Sequence, residues 1–154
     1  MNPVEIKDLP GLVGQEVGVS DWVEVTQEQV NLFADATGDH QWIHVDVERA
    51  TAGPFGGPIA HGYLTLSLGP ALMPQIFRVT GVAMGVNYGA NKVRFPAPVP
   101  VGSRVRARFR IDDVQPVDGG VQAQISALVE REGHDKPVCA AELIFRFLSE
   151  SPGG

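Results

Sequence analysis

The clearest order in the chain is an alternation of apolar and polar residues in its second half. From 104 to 111, Val105, Ala107, Phe109 and Ile111 fall on one side and Arg104, Arg106, Arg108 and Arg110 on the other, the period-two pattern of a strand with one buried face. Val121, Ala123, Ile125, Ala127 and Val129 repeat it, as do Cys139, Ala141, Leu143, Phe145 and Phe147. Between these runs, Asp118-Gly119-Gly120 and Glu132-Gly133-His134-Asp135 have the composition of hairpin turns, and PAPVPVG at 96 to 102 punctuates the strand before them. Four strands from about 82 to 148, with one more near 17 to 25, predict an antiparallel sheet of about five strands.

A different period governs the first half. In TQEQVNLFADATG, starting at Thr26, the residues Val30, Phe33, Ala34 and Thr37 share one helical face. Thr26 with Gln29 forms a capping-box start, and Gly38 is a left-handed stop. Beyond it, Gly53, Pro54, Gly56, Gly57 and Pro58 exclude a long regular element and leave an extended or looped excursion that ends at His61-Gly62. The apolar segment 63 to 73 fits a buried helix through Leu64, Leu68, Ala71 and Leu72, and a strand through Leu64, Leu66 and Leu68, so periodicity leaves both open. Helical and strand patterns are segregated along the chain, which argues for an α+β domain, and the dry face of the sheet needs a cover that only 63 to 73 is apolar enough to provide.

With 154 residues the chain is one ordinary domain, read here as 1 to 150 followed by a flexible tail at 151 to 154, Ser-Pro-Gly-Gly. A formal net charge of −6 disfavours nucleic acid and anionic membrane as partners, and a phosphate-bearing ligand would have to be met by a local basic patch. The one cysteine, Cys139, has no partner for a disulfide or a thiolate zinc site, and Met1 to Gly14 has neither the basic start nor the apolar run of a signal peptide. A cytoplasmic location is expected. No apolar stretch approaches the roughly 20 residues that span a bilayer.

The densest group of ionisable side chains is GDHQWIHVD, where Asp39, His40, His44 and Asp46 follow directly on the helix stop. Asp39 and His44 would lie about 140° apart on a helix and on opposite faces of a strand, so they meet only if the chain curls. Two readings follow from spacing alone: an acid/base pair, or an aspartate that caps a turn beside a histidine that satisfies a buried carbonyl. His44-x-Asp46 with a distal histidine suggests a two-histidine, one-carboxylate metal site, but neither His61 nor His134 is well placed as third ligand, so no metal is expected. A serine-hydrolase elbow is absent, and Cys139 sits inside a strand pattern.

FADATGDHQWIH, then VDVERA, then GPFGGPIAHGYLTLSL, resembles the signature of the MaoC-like hydratase family, which includes (R)-specific enoyl-CoA hydratases and nodulation-protein-N-like proteins. NYGANKVRFPAPVPVGS is similar to that family's strand after the central helix, so the resemblance covers residues 33 to 103 nearly continuously. It implies a hot-dog fold, a curved antiparallel sheet wrapped around a central helix, which makes 63 to 73 that helix. It also implies a homodimer, and hydration of a trans-2-enoyl thioester or the reverse dehydration. The family's catalytic aspartate and histidine fall on Asp39 and His44, and its central-helix serine on Ser67. Where many members carry Asn-Pro, this chain has Gln41-Trp42, which changes how the loop is braced and makes Gln41 a candidate contact of the acyl group.

Hydration needs a base for the water, an acid for the α-carbon and a donor for the thioester oxygen. The Gly62 amide, at the expected start of the central helix, is the candidate donor. His61 is a candidate substrate contact at that corner. No phosphate loop or dinucleotide fingerprint is present and the reaction moves no redox equivalent, so coenzyme A is expected only as part of an acyl-CoA or acyl-carrier substrate. Lys92 and Arg94, or the arginine row 104 to 110, would meet its phosphates, although such a row is as readily paired with acids such as Glu130. A thioesterase on the same scaffold and a non-catalytic acyl-thioester binding module are the rival functions.

Overall fold

In a computed structural model of the chain, which describes residues 2 to 149, a six-stranded antiparallel sheet wraps a single buried helix. The tail expected at 151 to 154 lies outside the described residues. Along the chain come β1 (Asn2–Glu5), β2 (Glu16–Val19), β3 (Val23–Glu24), α1 (Gln27–Thr37), α2 (Trp42–Val45), α3 (Val47–Thr51), α4 (Gly62–Leu72), β4 (Phe77–Thr80), β5 (Met84–Arg94), β6 (Arg104–Val117), β7 (Gly120–Arg131) and β8 (Cys139–Leu148). Strand order is β2-β6-β7-β8-β5, with β3 also on β6. β6, β7 and β8 form a meander in register, Phe109 facing Ala127 and Ala127 facing Ala141.

The segment 63 to 73 is helix, as the resemblance implies. α4 packs across β6, β7 and β8 and buries Leu64, Thr65, Gly69 and Leu72 against them. Phe109, Ile111, Ile125, Val105 and Val129, the inward residues of the alternating runs, are fully buried beneath it. Burying a side chain of this size contributes about 1.5–3 kcal/mol each, which is why the period-two pattern fixes strand register so firmly.

Two features depart from the expected five strands. The strand near 17 to 25 is two, because the chain breaks at Ser20, whose hydroxyl accepts the Ala107 N–H at 2.9 Å in place of a continuous ladder. In addition β1 and β4 pair in parallel, Val4 opposite Val79, as a separate two-stranded sheet.

The arginines of β6 are all paired with acids. Arg104 reaches Glu132 at 3.3 Å, Arg106 reaches Glu130 at 2.7 Å, Arg108 bridges Glu16 and Glu130, and Arg110 meets Asp112 at 2.7 Å. Burial of Glu130 works to raise its pKa, but the hydrogen bonds from Arg106 and Arg108 outweigh it and hold the carboxyl below the usual range. This row is therefore engaged within the sheet rather than presented to a ligand. Among the described residues, no helix is long and apolar enough to cross a membrane.

At the β7 start, a Cβ on Gly120 would lie 1.8 Å from the Phe147 carbonyl oxygen, a backbone atom that cannot yield without breaking the β7–β8 ladder. Gly120→Ala is expected to cost about 2 kcal/mol or more, a fall of roughly 4–8 °C in Tm. An unchanged melting curve would contradict this packing.

Candidate active site

The site is built where α1 stops. Thr26 Oγ1 accepts the Gln29 N–H at 3.1 Å and starts the helix, and Gly38, at φ 83°, ends it in the left-handed region that glycine adopts without strain. Asp39 follows, exposed, its Oδ1 accepting the Gln41 N–H at 3.4 Å. One turn of helix, α2, then carries His44 inward to 6% exposure. Gln27 Nε2 donates to the His44 carbonyl at 2.9 Å and ties that turn to α1.

The excursion closes on itself. Ile59 N–H donates to the Ile43 carbonyl at 3.0 Å, and the Ile59 carbonyl accepts from His44 Nδ1 at 2.7 Å. Two residues later His61 stands at the N-terminus of α4, 2% exposed, stacked on His44 with ring centroids 3.9 Å apart and planes at 24°. Gln41-Trp42, the departure from the family pattern, finds a physical role here: the Trp42 ring lies against Gly53, where a Cβ would come within 3.0 Å of it, and the Arg49 guanidinium covers the ring at 4.3 Å. An aromatic plate thus braces the excursion.

One atom each of Asp39, His44 and His61 lies within 4.8 Å of the others. A water about 2.8 Å from both can bridge a carboxylate and an imidazole at that separation. Of the two readings left open by spacing, the structure shows the second directly, since Asp39 shapes a turn and His44 satisfies a carbonyl; those two bonds leave Asp39 Oδ2 and His44 Nε2 unengaged among the described residues. A carbonyl only accepts, so Nδ1 of His44 carries the proton and Nε2 of the neutral ring is left with its lone pair free. Burial lowers the His44 pKa; the Ile59 carbonyl and Asp39 oppose this and His61 reinforces it.

His61 lies closer to the pair than the spacing suggests, which supplies a third potential metal ligand. Ring geometry argues against its use. Imidazoles ligate through in-plane lone pairs, and two rings stacked with centroids 3.9 Å apart and planes at 24° direct those lone pairs nearly side by side, whereas a bound zinc must sit about 2.0–2.1 Å from each nitrogen. The cluster suits proton transfer better than coordination.

A cavity of about 350 Å³ opens beside His44, lined by Phe55, Phe95, Val99 and Val138 together with Gly62 and Thr65 of α4. As the first residue of α4, Gly62 has an N–H with no intrahelical acceptor, and no other acceptor binds it among the described residues. A larger hollow of about 570 Å³ lies at the other end of α4, but the one ionisable side chain lining it is Arg78, so no acid/base pair serves it.

The remaining candidates divide. Ser67 is exposed and donates back to the Tyr63 carbonyl at 2.8 Å, so the structure does not join it to Asp39 or His44. Gln41 is exposed beside Asp39, and its carbonyl accepts the His44 N–H at 3.0 Å. Lys92 and Arg94 lie exposed on β5 and join no ion pair among the described residues, and neither is among the residues that line this cavity. Cys139 is buried and its thiol is pushed up to about 11, which removes it as a nucleophile. Sequence reasoning missed Thr65, Phe55 and Phe95, which come from three separate segments.

The sequence model described as MaoC like domain matches residues 8–133. The chain is 60% identical over 145 residues, covering 94% of it and 96% of the relative, to a protein of Mycobacterium tuberculosis named 3-hydroxyacyl-thioester dehydratase Z. It is 45% identical to nodulation protein N of Rhizobium meliloti, over 94% of this chain and 91% of that one. Among solved structures, an (R)-hydratase from A. caviae involved in PHA biosynthesis superposes with a TM-score of 0.72 at 23% identity, covering 88% of this chain and 96% of that chain, a likeness of fold. A monoamine oxidase regulatory protein from an Archaeoglobus species gives 0.79 at 25% identity, with 97% of each chain covered.

The His44 environment yields a solution test. Its ring, followed by NMR against pH, is expected to stay neutral below the ordinary imidazole pKa of about 6.5. Since the unfolded chain takes up that proton first, stability should also begin to fall as pH drops through the same value. Titration at or above it would contradict the buried placement.

Proposed function

Because the chain belongs to the MaoC-like domain family, we propose that it is a hydro-lyase that adds water across the double bond of a trans-2-enoyl thioester, or removes it from the (R)-3-hydroxyacyl thioester, with Asp39 and His44 as the acid/base pair. The observation that carries this reading is a carboxylate and an imidazole within 4.8 Å of each other, the imidazole lining an apolar cavity that is also lined by Gly62, whose helix N–H is free. In the hydration direction, the water oxygen bonds to C3 as its proton passes to the pair, and the C2–C3 π electrons shift toward the thioester. The oxygen charge that develops is met by the Gly62 N–H, and a proton from the pair reaches C2. No electron leaves or enters, so the reaction needs no cofactor beyond the carrier that the substrate brings.

The apolar cavity takes the enoyl group, and the carrier, coenzyme A or an acyl carrier protein, runs outward past Phe95, which follows the exposed Lys92 and Arg94 in sequence, the cations proposed to meet its phosphates. Gln41 is proposed at the same rim. A homodimer is supported by β5, an eleven-residue edge strand that leaves Met84, Val86 and Tyr88 exposed and carries no second neighbour among the described residues. Long apolar edges of this kind are normally paired or covered. A cytoplasmic setting suits a chain whose one thiol is buried.

With crotonyl-CoA, loss of the conjugated enoyl absorbance without release of free thiol is expected, whereas thiol release would mean hydrolysis. Asp39→Asn and His44→Ala should each lower the rate by about 10²- to 10⁴-fold while remaining folded; full activity in either variant removes that residue from the chemistry. In light scattering the protein should have twice the mass of one chain, and a monomer at micromolar concentration would sink the dimer.

A further inference from the structure

We propose that His61 is a positioning residue that sets the distance between Asp39 and His44, holding the backbone of one through its Nε2–H and the ring of the other through its face. The inference rests on the hydration reading above and deepens it. His61 Nε2 donates to the Asp39 carbonyl at 3.0 Å across 22 positions of sequence. The other hydrogen bonds of Asp39 are local: its N–H to Thr37 Oγ1 at 3.3 Å, and its Oδ1 from the Gln41 N–H at 3.4 Å. Among the described residues, then, His61 makes the one hydrogen bond that ties this exposed residue to the rest of the fold.

The opposite face of the task is steric. The His61 ring is stacked on His44 at 3.9 Å and backed by Phe33, whose centroid is 4.7 Å away at 50°. His44 is thereby fixed by two contacts, the Ile59 carbonyl at its edge and His61 at its face. The base of His61 is rigid too, since it caps α4 and its carbonyl accepts both the Thr65 N–H at 3.1 Å and Thr65 Oγ1 at 3.3 Å.

A packing role alone does not explain an imidazole here. His61 Nδ1 is buried without a partner, a polar atom that a phenylalanine or leucine ring position would not have to accommodate. What the imidazole supplies, and those side chains do not, is a donor and a flat face in one side chain. Both are used, and on the two residues whose separation governs a shared water.

Two substitutions divide the functions: His61→Phe keeps a ring and loses the donor, and His61→Gln keeps a donor and loses the ring. Each is expected to lower kcat by about 10- to 100-fold, because misplacing acid/base groups by an ångström costs on that order, with KM within about twofold. The ionisable groups facing His44 are Asp39 and His61, and removing His61 takes away an influence that lowers the His44 pKa. The acid limb of kcat/KM should therefore move upward in His61→Gln, which removes that influence and the stacked ring without adding apolar surface, as should the His44 ring titration followed by NMR. The NMR arm needs no turnover. Absence of hydration by the unsubstituted protein would defeat the proposed reaction, whereas wild-type kcat in both variants, a loss in KM alone, or an unmoved His44 titration would overturn the role given to His61. If His61→Phe fails to fold, His61→Gln decides the kinetic outcome.

Discussion

The contact on which the site depends is the 2.7 Å hydrogen bond between His44 Nδ1 and the Ile59 carbonyl. It closes fifteen residues of glycine- and proline-rich chain on themselves, and it does so at the point where Ile59 bridges Pro100 and Ala60 N–H meets the Val99 carbonyl. The sheet rim, the excursion and the start of α4 are thus joined within two residues. Without that closure His44 has no reason to lie under the helix terminus, and the cavity loses a wall. Burial strengthens the bond by excluding competing water, and the same burial lowers the His44 pKa, so the packing that orders the loop also favours the neutral imidazole.

Layered around this is an α+β frame whose two faces are kept apart. The inner faces of β6, β7 and β8 are apolar and closed by α4, while the outer face of β6 is a row of guanidinium groups, each matched to a carboxylate. Exposed ion pairs of this kind contribute little individually, about 0–1 kcal/mol. Their effect is to occupy the cations, so that the broad basic stripe the sequence displays is neutralised pair by pair.

How much of this was legible depends on whether the cause was local. Strands β6, β7 and β8 show in the sequence because alternation is a property of the strand itself, and α1 because Thr26 and Gly38 carry their own capping chemistry. The pairing of β1 with β4 is invisible, since four residues without alternation acquire a partner more than seventy positions away. The split at Ser20 is invisible for the same reason: a hydroxyl replaced a ladder bond only because Ala107 lay opposite. At the site, the resemblance picked out Asp39 and His44, but their approach rests on Ile59 and His61, which spacing does not connect. Ser67 sits where the family pattern puts a functional hydroxyl, yet in this chain it bonds to its own helix, and Thr65, two residues earlier, is the hydroxyl-bearing residue that lines the cavity.

Asp39 is two chemical objects in one residue. Its carbonyl is an anchor, gripped by His61, while its carboxylate is free of any bond stronger than a long turn contact. The main-chain carbonyl survives every substitution in its ability to accept a hydrogen bond, so the scaffold of this corner is insulated from changes in the Asp39 side chain. A chain that replaced the carboxylate would keep the anchor of this corner and lose only its charge.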